Sequence, residues 1–219
     1  MSPLRIGNPA VTLVVAPHAD DETIGAYGLI RLLRQRGREV RVVVVTDGAV
    51  SHPSSPGWPR ARLVAERRRE TRRAMRGLGV PAGKIRFLGL PDGGLGEVSA
   101  HFRAIARAAR RIAGLQLVIA PTRADAHPDH RATADGLAHA LLPGVRRLSY
   151  LVWGDKMQGH SLFLREGRAM KRAAIRRYRT QMGWIADDPS GFQIAPQELR
   201  AFSRPAELFR EERPCGRSR

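Results

Sequence analysis

The chain has 219 residues, 42% hydrophobic and 26% charged, ordinary values for a globular protein able to bury a sizeable core. Its net charge of +18 comes almost wholly from arginine, with only Lys84, Lys156 and Lys171 as lysines, and no interleaved aromatics, so it reads as compositional bias with solvated faces and not as a nucleic-acid footprint. The lone Cys215 excludes an internal disulfide framework, and the apolar "VTLVVA" is too short for a signal-peptide core or a membrane span, which makes a cytoplasmic location the expectation.

Residues 11–16 (VTLVVA) read as a buried strand, and 22–37 (ETIGAYGLIRLLRQRG) as a helix closed by Gly37. Residues 39–48 form a second strand rich in β-branched side chains, followed by a Pro/Gly/Ser-rich loop over 47–60 that suits the rim of a site. A strongly basic helix spans 62–79 and again ends at glycine. Further strands are expected at 84–90, 115–122 and 147–153, separated by helices at about 97–113 and 128–142. Strands buried on both faces and alternating with helices imply an α/β fold, a Rossmann-like open sheet, mainly parallel, with helices on both faces. Past Trp153 the pattern weakens. One more basic helix at about 165–181 precedes a Pro-rich end with little periodicity, so the expectation is a single domain with a core at about 11–181 and a short C-terminal extension at about 182–219.

The turn after the first strand carries "PHADDE" where a dinucleotide fold would carry glycines. His18, Asp20, Asp21 and Glu22 would repel a phosphate there; the turn suits a cation. A second cluster, "ADAHPDHRATADG" (124–136), follows the fourth strand and places His127, Asp129 and His130 within four residues. Mixed imidazole and carboxylate donors suit zinc or a similar divalent ion, and a catalytic zinc takes three protein ligands and leaves one position open. His18, an aspartate of the first cluster and a histidine of the second would supply that count. In an open sheet of order 3-2-1-4-5, strands one and four are neighbours and their carboxyl ends flank the ligand crevice. Either cluster alone is at least as well read as solvent-facing strand-end residues or a helix cap, which Asp20, Asp21 or Thr23 could supply in the first. Two clusters at adjacent strand ends favour a metal site.

"PHADDE" together with "HPDH" resembles the LmbE-like, or PIG-L-like, family of zinc-dependent N-deacetylases acting on N-acetylglucosamine conjugates, and supporting similarity extends through "RRRETRRAMRGLGV", "FLGLPDGGL" and "KRAAIRRYRTQ". The resemblance implies His18, Asp21 and His130 as ligands of one Zn²⁺, Asp20 as general base, His127 facing the developing oxyanion as an imidazolium, and Asp129 orienting His127. It also implies Arg67 and Asp92 as contacts to the sugar. Two departures stand out: Ala19 replaces the proline usual in the first motif, and no tyrosine that could assist the oxyanion occurs between Pro121 and Ala126. His52, His101, His139 and His160 lack clustered partners and read as structural or exposed; Trp58 and Trp153 read as core or rim packing. The expected partner is a small amino-sugar conjugate. The rival readings are a metal amidase on another N-acyl substrate, such as an antibiotic or glycolipid intermediate, and a basic nucleic-acid-binding protein.

Overall fold

The computed structural model describes residues 2–96, 98–154, 157–163 and 167–212; Cys215, Lys156 and the first turn of the helix expected from 165 lie outside them. In chain order the elements are β1 (Val11–Ala16), α1 (Asp21–Gln35), β2 (Glu39–Thr46), α2 (Arg60–Gly77), β3 (Ile85–Leu90), α3 (Ser99–Arg110), β4 (Leu115–Pro121), α4 (Pro128–Ala138), β5 (Arg146–Tyr150), β6 (His160–Phe163), α5 (Gly167–Ile175), α6 (Pro196–Phe202) and β7 (Ala206–Glu212). The strands form one sheet in the order β3-β2-β1-β4-β5-β7-β6. The first five run parallel, as expected, and β7 is antiparallel to both β5 and β6.

Period-two alternation splits the central strands between two cores, which is why their sequences read as continuous apolar runs. Val14 and Ala16 of β1, Val42 and Val44 of β2, and Leu117 and Ile119 of β4 face one core with Leu29, Ile30 and Leu33 of α1, Met75 of α2 and Ile175 of α5. Leu13 and Val15, Val43 and Val45, and Val118 and Ala120 face the other, covered by Ile105, Ala106 and Ala109 of α3 and by Ala132 and Leu137 of α4. Helices thus cover both faces.

The C-terminal segment is no appendage. Residues expected to trail off as an unpatterned extension include α6 and β7, and β7 is an internal strand of the sheet. The basic helix expected over 165–181 ends at Ile175 and is followed by a short 3₁₀ turn at Arg179–Gln181. Several exposed or half-buried arginines have specific occupations. Arg68 and Arg72 lie over the Phe87 ring at the edge strand, while Arg62 and Arg179 cover Trp58 and Trp184, which meet edge to face.

Two features bring the two motifs together. Val14 of β1 pairs with Ile119 of β4, so the segments leaving both carboxyl ends run side by side. Tyr150, at the end of β5, then packs across the start of α1 and donates its hydroxyl to the Val15 carbonyl at 2.9 Å. That packing requires Gly25, because a Cβ there would lie 2.3 Å from the tyrosine ring.

Candidate functional site

The chain turns sharply between β1 and α1 at Asp20, whose φ of 128° is a conformation that non-glycine residues avoid. The turn is pinned: Thr23 and Ile24 donate their amides to the Asp20 carbonyl, and Asp20 donates its own to Glu22 Oε2 at 3.1 Å. Glu22 is fully buried and accepts from the Tyr178 hydroxyl at 2.6 Å, which fixes it as a structural acid beneath the site. The Asp20 side chain makes no hydrogen bond that caps α1, so the capping reading fails for this residue. Such strain held in place by its surroundings concentrates at functional sites.

His18, Asp21 and His130 converge. Asp21 Oδ2 lies 3.3 Å from His18 Nδ1 and 3.1 Å from His130 Nε2, and also accepts the His18 amide. Those spacings are close to the roughly 3.4 Å edge of a tetrahedron with zinc–ligand bonds of about 2.1 Å. The ligand atoms of His18, His127 and His130 all lie within 4.8 Å of one another, and so do those of His18, Asp92 and Asp129. His130 is completely buried, yet neither ring nitrogen has a partner in hydrogen-bonding alignment, although a carboxylate oxygen stands 3.1 Å from each. Buried polar atoms are rarely left this way. A divalent ion seated against His130 Nε2, His18 Nδ1 and Asp21 Oδ2 would satisfy the first of these nitrogens and leave Nδ1 to Asp125, so the donor set fits a metal.

The neighbouring carboxylates are driven apart electrostatically. Burial, then the Asp21 charge, pushes Asp20 well above the ordinary carboxylate range against the pull of Arg67. Burial also acts on Asp21, but His130 and His18 outweigh it and hold its carboxyl far below that range. His130 is lowered by burial but raised overall to about 9 by Asp21 and Asp125. His18 likewise rises well above its usual value, through Asp129, Asp21 and Asp92. Paired acids with opposed environments are the usual arrangement for divided acid–base roles.

The remaining expected residues divide. His127 sits at the start of α4, ahead of Pro128, and its Nδ1 accepts from the Asp129 amide at 3.2 Å. An amide can only donate, so the ring proton resides on Nε2. An accepting Nδ1 leaves the ring neutral, unlike the imidazolium that the resemblance implies, and burial, helped by His18 and His130, lowers the His127 pKa in the same direction. Asp129 does not orient His127 through its carboxylate, which instead accepts from Gly93 at 2.8 Å and Leu95 at 3.2 Å and faces His18 Nε2 at 3.3 Å. Asp92 also turns toward the histidine cluster: Oδ1 lies 3.1 Å from His18 Nε2, Oδ2 accepts from Val50, and the carboxyl is held down to about 2 against burial by His18 and Arg67. Arg67 is buried and donates to the carbonyls of Gly48 and Ala19, with Nη2 3.9 Å from Asp20. Gly48, at a φ of 71°, permits this approach, since a Cβ would come within 2.9 Å of the guanidinium.

His18, Asp20, Asp21, Arg67, Asp92 and His127 line a cavity of about 400 Å³ whose lining also includes Ser51, Gln181 and the apolar Ile24, Val50, Trp153, Phe192 and Ile194. The expected rim loop is pinned to the C-terminal segment, where Asp187 accepts from Ser55 and Gly57, and Asp188 accepts from Ser54. Glu70, buried on α2, accepts from the Thr180 amide and hydroxyl and so sets Gln181 at the cavity. Sequence reasoning missed Asp125, whose Oδ2 faces His130 Nδ1 at 3.1 Å. Its place five residues before His130, between Pro121 and Ala126, was the available signal.

Fold and site together define an α/β protein with a histidine–carboxylate centre of metal-ligating chemistry at the carboxyl edge of its sheet. Residues 13–141 match the family described as PIG-L: GlcNAc-PI de-N-acetylase, and the chain belongs to that family. It is 31% identical over 152 residues to the 2'-N-acetylparomamine deacetylase of Streptomyces fradiae, covering 61% of this chain and 53% of that protein. It is 32% identical over 139 residues to the probable N-acetyl-alpha-D-glucosaminyl L-malate deacetylase 2 of Bacillus anthracis, covering 61% of this chain and 60% of that one. The matches therefore span little more than half the length of these relatives. The N,N'-diacetylchitobiose deacetylase of Pyrococcus horikoshii superposes with a TM-score of 0.79 over 96% of this chain and 88% of that one, at 24% identity, a likeness of fold. No described helix is long and apolar enough to cross a membrane.

Proposed function

We propose that the protein is a metal-dependent hydrolase that removes the N-acetyl group from an N-acetylglucosamine-type conjugate, with zinc the first choice of ion. The observation that carries this reading is the convergence of His18 and His130 on Asp21, with His18, Asp20 and Asp21 lining one cavity and His130 buried against Asp21. His18, Asp21 and His130 would hold the ion. When bound, it supplies a Lewis acid for the amide carbonyl and lowers the pKa of the attacking water.

The protein's own groups do the rest. Asp20, which lines the cavity and is not one of the three ligands, takes the water's proton and later delivers it to the departing amine. Neutral His127 donates a hydrogen bond from Nε2 to the oxygen that gains charge, its Nδ1 already engaged by Asp129. Arg67 stabilises Asp20 as a carboxylate and presents cationic character to the cavity. With His18 coordinating through Nδ1, Asp92 and Asp129 accept from Nε2 and hold the ring, a role for Asp92 different from direct sugar binding. Purified protein should release acetate and a free amine from N-acetylglucosamine conjugates when zinc is supplied, and should stop in excess chelator. Turnover unaffected by chelator would refute the metal-dependent reading.

Asp125 provides a further test. Its Oδ2 faces His130 and also accepts from the amides of Val152 at 2.9 Å and Trp153 at 3.2 Å. Asp125→Asn keeps the side-chain size but removes the charge behind the ligand, and outer partners of this kind typically carry about 10–100-fold in metal affinity. Competition titration against a chelating dye should show that loss. Unchanged affinity would make Asp125 a purely structural tether.

A further inference from the structure

The polar and apolar linings of the cavity are segregated, and the polar groups are largely committed. Asp92 is bound to Val50 and faces His18, Arg67 serves two backbone carbonyls, and the Ser51 hydroxyl donates to Gly48. Apart from Gln181 and the site's own histidines and carboxylates, the rest of the lining is apolar: Ile24, Val50, Trp153, Phe192 and Ile194. Trp153 stands edge-on to Phe202 at 5.3 Å and to Phe192 at 6.0 Å between ring centroids, so the wall is rigid. Phe192 is tied across the cavity by its amide, which donates to the Ser51 carbonyl at 2.7 Å.

Exposure grades along this wall. Ile24 and Ile194 are buried, whereas Phe192 is 37% and Val50 51% exposed, leaving large apolar side chains open to water where the cavity meets solvent. The volume of about 400 Å³ lies in the range of about 300–1,000 Å³ typical of pockets for drug-sized ligands.

We propose that the Trp153–Phe192–Val50 wall is a subsite for an apolar group attached to the sugar, an alkyl or aryl aglycone, and that Phe192 determines specificity for it. This rests on the deacetylase reading, which places the amide against Asp20, His18 and His130. The sugar ring then follows toward the mouth, and what it bears on its far side meets Phe192 and Val50. An apolar group there would cover surface that is otherwise wet, at about two- to fourfold in affinity per methylene buried.

The test compares methyl and octyl β-glycosides of N-acetylglucosamine, and the N-octanoyl analogue of the methyl glycoside, in the zinc-loaded enzyme. Wild type should prefer the octyl glycoside through a lower KM. Phe192→Ala should raise that KM about five- to tenfold and leave the methyl glycoside unchanged, while Phe192→Leu should restore most of the preference. Melting temperatures of both variants control for folding. Equal KM for the two glycosides in wild type overturns the proposal. So does an equal loss on both in Phe192→Ala, which would mean that the wall meets the sugar ring. Preference for the octanoyl amide alone also overturns it, by assigning the wall to the acyl chain. Calorimetric binding of octyl β-glucosaminide separates the two readings: if no conjugate is hydrolysed but this amine still binds through Phe192, the deacetylase reading falls and the subsite stands.

Discussion

Asp20→Asn is expected to lower the deacetylation rate by about 10²–10⁴-fold while metal content and melting temperature stay near wild type. Asp21→Asn is expected to empty the metal site. The contrast follows from two adjacent residues with different surroundings. Asp21 Oδ2 is wedged between the His18 and His130 imidazoles, at 3.3 and 3.1 Å, so its charge organises both rings. Asp20 makes no capping bond to α1 and lines the cavity, with Arg67 at 3.9 Å. Asparagine is isosteric with aspartate, so the substitution removes the proton acceptor and makes no new steric demand at the φ of 128°. If both carboxylates served only the helix terminus, each change would cost about 0.5–2 kcal/mol of stability and little activity. Zinc content, melting temperature and rate on the two variants decide the matter. Zinc lost from Asp20→Asn and kept in Asp21→Asn would reverse the two roles.

What the sequence disclosed about this site was whatever local order could encode. Both motifs follow apolar runs long enough to read as central strands, and adjacency of β1 and β4 in a doubly wound sheet brings their ends together. The partners of Asp129 and Asp125 were not legible, because they include backbone amides far away in sequence. The Asp129 carboxylate was assigned to His127, two residues away, but bonds Gly93 and Leu95 in the segment after β3. Asp125 bonds Val152 and Trp153 beyond β5. The apolar wall was hidden too, since Phe192 and Ile194 come from irregular chain with no period to detect.

The same limit explains β7, and it motivates a stability prediction. In "AELFREE" the buried positions are Glu207 and Phe209, so the inward row that should read apolar begins with a glutamate. That glutamate has a task in another element. α1 kinks at Ala26, where φ is −141°, and Glu207 accepts the amides of Gly28 at 2.9 Å and Leu29 at 3.2 Å. Lys171 of α5 neutralises it at 2.8 Å, both side chains being buried. Lys171→Met should therefore destabilise the protein by about 3–5 kcal/mol, because it leaves a buried carboxylate without its cation. Adding Glu207→Gln should recover most of the loss, since the amide oxygen still accepts from the helix and no charge remains. Denaturant unfolding of the single and double variants measures both values. A double variant as unstable as Lys171→Met would show that the lysine acts through packing of its stem and not through its charge. The pair lies in chain that seemed unpatterned, yet it fixes α1, the helix whose first turn supplies Asp21.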